Sequence, residues 1–242
     1  MKALRSALYV TGFFLWTVPL AFLYLPFLVL PRRAMLPFVR LWARGVMAVL
    51  KATVGIGYRV EGLENLPPRP FIVASKHQSA FETFAFPLIV PDPAFVLKRE
   101  LTWLPFFGWY LAKSGVIAID RSAGAKALKS MVKGAQDARD AGRAIIIYPE
   151  GTRKAPGAKP AYHTGVAMLY GSLGLPVVPV ALNSGVFWGK RAFTKRAGEV
   201  VVRLLPPIPP GLDRKAFMAR LEADIETATA ELTAPHSTGE AE

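Results

Sequence analysis

Residues Phe71 to Ile89 read FIVASKHQSAFETFAFPLI. An apolar, β-branched run is followed by a short polar turn and then by a second apolar stretch. This predicts a buried strand over Phe71 to Ala74, a turn that begins at Lys76, and a helix over Ala80 to Ile89. Ser79-Ala80-Phe81-Glu82 has the S-x-x-E spacing of a capping box, with Ser79 as N-cap and Glu82 reaching back from the third helical position. Capping explains Ser79 and Glu82 but leaves His77 unexplained. His77 would lie just outside the helix, within reach of the Glu82 carboxylate. A carboxylate on one ring nitrogen fixes the tautomer and raises the basicity of the other, as a general base requires. A lone His at a helix start is more often structural, so this pairing needs support from elsewhere in the chain.

Outward from this unit the same alternation continues. Further strands are expected at Gly57 to Glu61, Ala94 to Leu97, Val116 to Ile119, Ala144 to Tyr148, Val177 to Leu182 and Val200 to Leu204. Helices are expected at Pro105 to Lys113, Gly124 to Ala141, Thr164 to Leu173 and Arg214 to Leu232. Seven strands interleaved with helices predict an α/β fold, a single domain with a roughly seven-stranded mixed sheet covered on both faces. Residues 52–212 are assigned to that domain, 1–51 to an N-terminal membrane-associating helical segment, and 213–242 to a C-terminal helix with an acidic tail. From Thr233 the tail, TAPHSTGEAE, reads as disordered.

The chain has 242 residues, of which 52% are hydrophobic and 19% charged, and its mean hydropathy is +0.30. An intrinsically disordered chain is excluded, and some apolar surface must face something other than water. Cys is absent, which removes disulfides, thiolate metal sites and a Cys nucleophile, and three scattered His residues do not make a zinc site. The net charge is +13. Residues 1–212 hold 27 bases against 10 acids, a net +17, so the body would be drawn to an anionic lipid leaflet, to nucleic acid or to an acidic partner. Nucleic-acid binding calls for aromatics interleaved with bases on an exposed face, whereas the aromatics here lie mostly in apolar runs, so no nucleic-acid partner is expected.

Ala7 to Leu30 is an uncharged run of 24 residues. As one helix it would reach about 36 Å, enough to cross a hydrocarbon core. Pro19 and Pro26 either kink such a helix or break it into a segment that enters one leaflet and packs against the amphipathic stretch Met35 to Lys51. Arg32, Arg33, Arg40 and Arg44 follow the run, which puts the bulk of the chain on the cytoplasmic face.

Three further turns carry charge at strand ends. Leu97 to Arg121 brings Lys98, Arg99 and Arg121 around an aromatic helix. Tyr148-Pro149-Glu150-Gly151-Thr152-Arg153 ends a very apolar strand, and Arg153, with Lys154 and Lys159 after it, offers donors suited to a phosphate. Leu175 to Gly185 ends in Asn183 and Ser184. In this order and spacing, His77 to Glu82, Gly115 to Arg121, Tyr148 to Arg153 and Val178 to Ala181 resemble the signatures of the glycerolipid acyltransferase family, specifically its bacterial 1-acylglycerol-3-phosphate acyltransferases. Those signatures are His-x-x-x-x-Asp, a Gly-x-Ile-x-Ile-Asp-Arg-like element, Phe-Pro-Glu-Gly-Thr-Arg and Val-Pro-Val-Ala. The resemblance covers about residues 71–185. It departs at Tyr148, where the family has Phe, and at Glu82, where it has Asp.

The resemblance implies transfer of a fatty acyl chain from acyl carrier protein or acyl-CoA to the sn-2 hydroxyl of lysophosphatidic acid, giving phosphatidic acid for phospholipid biosynthesis at the cytoplasmic face of the inner membrane. His77 would be the general base and Glu82 its partner. Lys98, Arg121 and Arg153 would hold the acceptor phosphate, and Glu150, Gly151 and Thr152 would complete that binding turn. Lys98 or a backbone N–H would stabilise the oxyanion. No metal or redox cofactor is implied. Two alternatives remain at this point: a sister enzyme with another acceptor, such as a lyso-ornithine lipid, and a non-catalytic basic membrane-binding protein.

Overall fold

The computed structural model describes residues 1–158 and 161–237, so Lys159 and the tail beyond Ser237 lie outside the described residues. Seven strands form one sheet: β1 (Ile56–Glu61), β2 (Ile72–Ser75), β3 (Pro93–Lys98), β4 (Ile117–Ile119), β5 (Ala144–Ile147), β6 (Val177–Leu182) and β7 (Gly198–Leu204). Their order is β1-β7-β6-β2-β5-β3-β4. β6 pairs antiparallel with β7, and the other neighbours are parallel. All seven expected strands are present, with ends displaced by a residue or two. The helices are α1 (Lys2–Leu23), α2 (Leu36–Val54), α3 (Phe81–Ile89), α4 (Phe107–Lys113), α5 (Ala125–Asp140), α6 (Gly165–Leu173), α7 (Ser184–Phe187) and α8 (Arg214–Ser237). α7 has four residues, too few to show a helical period in sequence.

Alternation along the strands builds two cores. Ile72, Ala74, Ile145 and Ile147 face α5, α6 and α8, meeting Met131, Leu169, Phe217 and Leu221. Phe71, Val73, Ala144 and Ile146 face the other way and pack with Leu50 and Val54 of α2 and Phe81, Ala85 and Phe86 of α3. The strands are buried on both faces, which is why they read as unbroken apolar runs. Two expectations change here. Phe217, Leu221 and Ile225 of α8 are fully buried in the first core, so the boundary placed at 213 marks a change of charge and not of packing. The chain from Thr233 to Ser237 is helical, not disordered: Asn183 Nδ2 donates to the Leu232 carbonyl at 3.3 Å, and the Phe187 ring meets His236 edge-on.

The apolar run Ala7 to Leu30 is not one helix. α1 ends at Leu23, and a 3₁₀ segment, Leu25–Val29, carries Pro26. α1 turns back to lie along α2. Trp16 Nε1 donates to the Trp42 carbonyl at 3.0 Å, and Trp42 Nε1 donates to Thr17 Oγ1 at 3.1 Å. Gly45 allows this closeness, since a Cβ there would stand 2.0 Å from the Trp16 ring. Outside the hairpin, Leu8, Phe14, Leu15, Val18 and Phe22 stay exposed. Phe13 and Trp42 pack on Phe84 of α3, which links the hairpin to the sheet.

Asp92, between α3 and β3, ties the end of the hairpin to the sheet. Its carboxylate accepts from Arg32 at 2.5 and 2.9 Å and from Arg143 Nε at 3.2 Å. Burial pulls the carboxyl upward, but the hydrogen bond from Arg32 and the charges of Arg143 and Arg32 overcome it and hold the group below its usual range. Asp92→Asn should lower stability by about 2–4 kcal/mol in chemical unfolding, because Arg143 would be left buried without its anion. A depressed folded value means that this contribution is present above pH about 4 and is lost on acidification, so the gap between wild type and variant should close below that pH.

Candidate active site

β6, β2, β5, β3 and β4 run parallel, so their C-terminal ends share one edge, and there the chain turns out of each strand into a loop. That edge gathers His77 after β2, Glu150 to Arg153 after β5, Lys98 at the end of β3, Arg121 after β4 and Ser184 after β6.

The main chain of His77 is held at both ends by the turn after β5. Its N–H donates to Glu150 Oε2 at 3.0 Å, and its carbonyl accepts from the Lys154 N–H at 2.8 Å. The ring stacks on Tyr148 with centroids 3.9 Å apart, and its Nδ1 lies 3.9 Å from Glu82 Oε2. That is an ion-pair distance and too long for a hydrogen bond, so the buried Nδ1 has no hydrogen-bond partner.

Glu82 is 1% exposed. Its Oε1 accepts from the N–H groups of Gln78 at 2.9 Å and Ser79 at 3.0 Å and from Ser184 Oγ at 2.7 Å. The capping expectation is half met. The carboxylate does reach back to Ser79, but α3 begins at Phe81 with Ala80 as its cap, and Ser79 Oγ accepts from the Phe81 N–H instead. Burial pushes Glu82 up to about 7, against the pull of its donors Gln78, Ser184 and Ser79. Burial pushes His77 down to about 3, assisted by the positive charges of Arg153, Arg121 and Lys190. The resting ring is therefore neutral, with three cations close enough to be felt.

The turn after β5 closes on Gly151, whose φ of 65° suits glycine, and its N–H donates to the Tyr148 carbonyl at 2.9 Å. Arg121 Nη1 donates to the Gly151 carbonyl, which joins the ends of β4 and β5. His163, which the sequence motifs do not single out, lies over the same glycine: a Cβ at Gly151 would stand 3.0 Å from His163 Nε2. Thr152 is exposed and Arg153 half-buried. Lys98 is exposed at the end of β3. Arg99 is engaged with Asp120 at 2.7 Å. Glu150 differs from the expectation of substrate contact. Its carboxylate is buried, Oε2 accepts from the His77 N–H and Oε1 meets Lys76 Nζ at 2.8 Å, so it holds the main chain of His77. Asn183 is structural, its Oδ1 accepting from the Val201 N–H at 2.9 Å.

The Acyltransferase family model matches residues 57–183, just over half of the chain. A 1-acyl-sn-glycerol-3-phosphate acyltransferase of Pseudomonas aeruginosa is 38% identical over 211 residues, covering 85% of this chain and 81% of that protein. Proteins of the same name from Saccharomyces cerevisiae (33% identical) and, as the alpha form, Homo sapiens (31%) match 69% and 66% of the chain. The matches cover 56% and 58% of those longer relatives. Among solved structures, the 1-acyl-sn-glycerophosphate (LPA) acyltransferase PlsC of Thermotoga maritima superposes with a TM-score of 0.80 at 24% identity, covering 97% of this chain and 98% of that one, which shows a shared fold.

The electrostatics can be tested by NMR on the purified chain. The Glu82 carboxyl should titrate near 7, and the His77 ring should stay neutral from about pH 5 to 8. Ser184→Ala removes a donor to the charged form and should move the Glu82 midpoint higher.

Proposed function

The chain belongs to the Acyltransferase family, and on that footing we propose that it moves a fatty acyl chain from a thioester to the sn-2 hydroxyl of 1-acylglycerol 3-phosphate, giving phosphatidic acid. The observation that carries this reading is a buried His77 with a carboxylate 3.9 Å from one ring nitrogen, at the strand edge that also gathers Arg121 and Arg153, whose positive charges help burial hold the ring in its neutral form. Nδ1 is enclosed toward Glu82, which leaves Nε2 to meet the acceptor. As the acceptor oxygen attacks the thioester carbonyl, Nε2 takes its proton, Glu82 stabilises the imidazolium, and the thiol leaves with that proton as the tetrahedral intermediate collapses. The nucleophile belongs to the substrate. Arg121 and Arg153, with Lys98 and Thr152 at the rim, hold the acceptor phosphate and so fix its hydroxyl near the ring. The oxyanion falls to Lys98 or to a backbone N–H at this edge. The step calls on acyl carrier protein or coenzyme A as carrier of the co-substrate and on no further cofactor.

The hairpin supports a site at a bilayer surface. α1 is 22 residues long and apolar enough to cross a membrane, yet it lies antiparallel along α2. α2 is committed to the sheet through Leu50 and Val54 and carries Arg40 and Arg44. Were α1 to cross the bilayer, it would draw those arginines into hydrocarbon, which is costly. We place the hairpin in one leaflet, its apolar outer face among acyl chains and the basic body against anionic headgroups on the cytoplasmic side of the inner membrane.

Transfer of labelled acyl chain to lysophosphatidic acid, from acyl-CoA or acyl carrier protein, should be seen with detergent-purified wild type. His77→Ala should lower the rate by about 10²- to 10⁴-fold with its fold intact. Turnover by the variant at the wild-type rate would remove His77 from the chemistry, and product only from another lyso-lipid would reassign the acceptor. In the wild type kcat/KM should rise with pH through about 7, as Glu82 ionises. Glu82→Gln should be slow and lack that limb.

A further inference from the structure

Lys76 precedes His77, and its side chain is 3% exposed. Its ammonium lies between two carboxylates, Glu150 Oε1 at 2.8 Å and Glu226 at 2.7 and 2.9 Å. Glu226 comes from the middle of α8, 150 positions further along the chain, and also accepts from Tyr162 OH at 2.9 Å. Tyr162 adjoins His163, the residue that lies over Gly151. The cluster thus joins β2, the turn after β5, the loop before α6 and α8 directly behind the base.

His77 depends on this cluster because its own ring is weakly anchored. Nδ1 has no hydrogen bond, so the place of the imidazole is set by stacking on Tyr148 and by the main-chain bonds to Glu150 and Lys154. What fixes Glu150 therefore fixes His77. Glu150 is fully buried, and Lys76 is the cation that lets it stay there as an anion. Burial pushes the Glu150 carboxyl up, the hydrogen bond and charge of Lys76 draw it down, and the charge of Glu226 adds a smaller upward push. Glu226 in turn places Lys76: without it, a buried ammonium would have one anion where it now has two, and nothing from α8 would hold it.

We propose that Lys76 and Glu226 are positioning residues for His77, forming with Glu150 a buried ionic relay by which the C-terminal helix sets the main-chain position of the base. This rests on His77 being the general base proposed above. Loss of the relay displaces the ring from the acceptor hydroxyl without touching the phosphate-binding arginines, so kcat suffers and acceptor KM does not.

The test uses the full chain in detergent with lysophosphatidic acid and acyl-CoA, and compares wild type, Glu226→Gln, Glu226→Asp, Lys76→Met and His77→Ala. Glu226→Gln keeps shape and removes charge; kcat should fall about 10- to 100-fold, the scale of a misplaced catalytic group, with acceptor KM within about two-fold of wild type. Glu226→Asp keeps the charge and should recover part of the loss. Lys76→Met should be at least as slow as Glu226→Gln. If it does not fold, the two Glu226 variants decide. Wild-type kcat in folded Glu226→Gln, with or without a lower melting temperature, overturns the relay, and so does a raised acceptor KM at unchanged kcat. An active His77→Ala overturns the base assignment instead. A silent His77→Ala beside a fully active Glu226→Gln leaves that assignment standing and removes only the relay.

Discussion

Two carboxylates without water set the terms on which the edge of this sheet is built. Glu82 and Glu150 are each 1% exposed, and a buried anion must be given donors by the chain itself. Glu82 takes them from Gln78 and Ser79 at the mouth of α3 and from Ser184 after β6. Glu150 takes them from the His77 N–H and from Lys76. The donors come from loops that follow β2 and β6, and the acceptors from α3 and the loop that follows β5, so both anions are satisfied only while those three strands keep their parallel register. His77 occupies the one place between the anions, held by one through its main chain and faced by the other across its ring.

The same constraint explains why α3 begins where it does. A capping box would spend the Ser79 hydroxyl on the third helical N–H and the glutamate on the cap. Instead the helix starts later, and the loop turns the N–H groups of Gln78 and Ser79 together onto Glu82. The carboxylate is thereby held as a local cap and as the partner of His77 at once, its Oε1 accepting from Gln78, Ser79 and Ser184 and its Oε2 shared between the Ser79 N–H at 3.1 Å and the side facing the ring. An aspartate, one methylene shorter, would have to draw the helix closer to do both. Phe84 and Phe86, on the same helix, pack it against the hairpin and the sheet and leave it little room to move.

Much of this was legible in the sequence because buried parallel strands advertise themselves. AIII and VVPVAL have no solvent side to alternate with, and each ends in the polar turn that carries chemistry. The helix periods and the four motif turns followed from the same logic. What stayed hidden depends on distance along the chain. Nothing around Lys76 announces a carboxylate 150 positions away, and nothing around Asp92 announces Arg32 and Arg143. The hairpin was legible only as one of two alternatives, because hydropathy measures how apolar Ala7 to Leu30 is but not which residues face a second helix. Gly45 under Trp16 and the paired indole bonds decide that, and neither has a periodic signature.

His77 feels charges of both signs, and on the reading proposed above this bears on when the ring is a strong base. Glu82 lies beside Nδ1 and Glu150 holds the main-chain N–H, whereas the charges of Arg153, Arg121 and Lys190 add to burial in favouring the neutral form. In the resting site the cations and burial prevail, and the imidazole holds no proton that would have to leave before catalysis. If the acceptor phosphate is held by Arg121 and Arg153 as proposed, its negative charge would offset the field that weakens the ring. On that reading the ring would gain basicity as a phosphorylated acceptor is seated, which would couple recognition of the headgroup to activation of the hydroxyl through electrostatics.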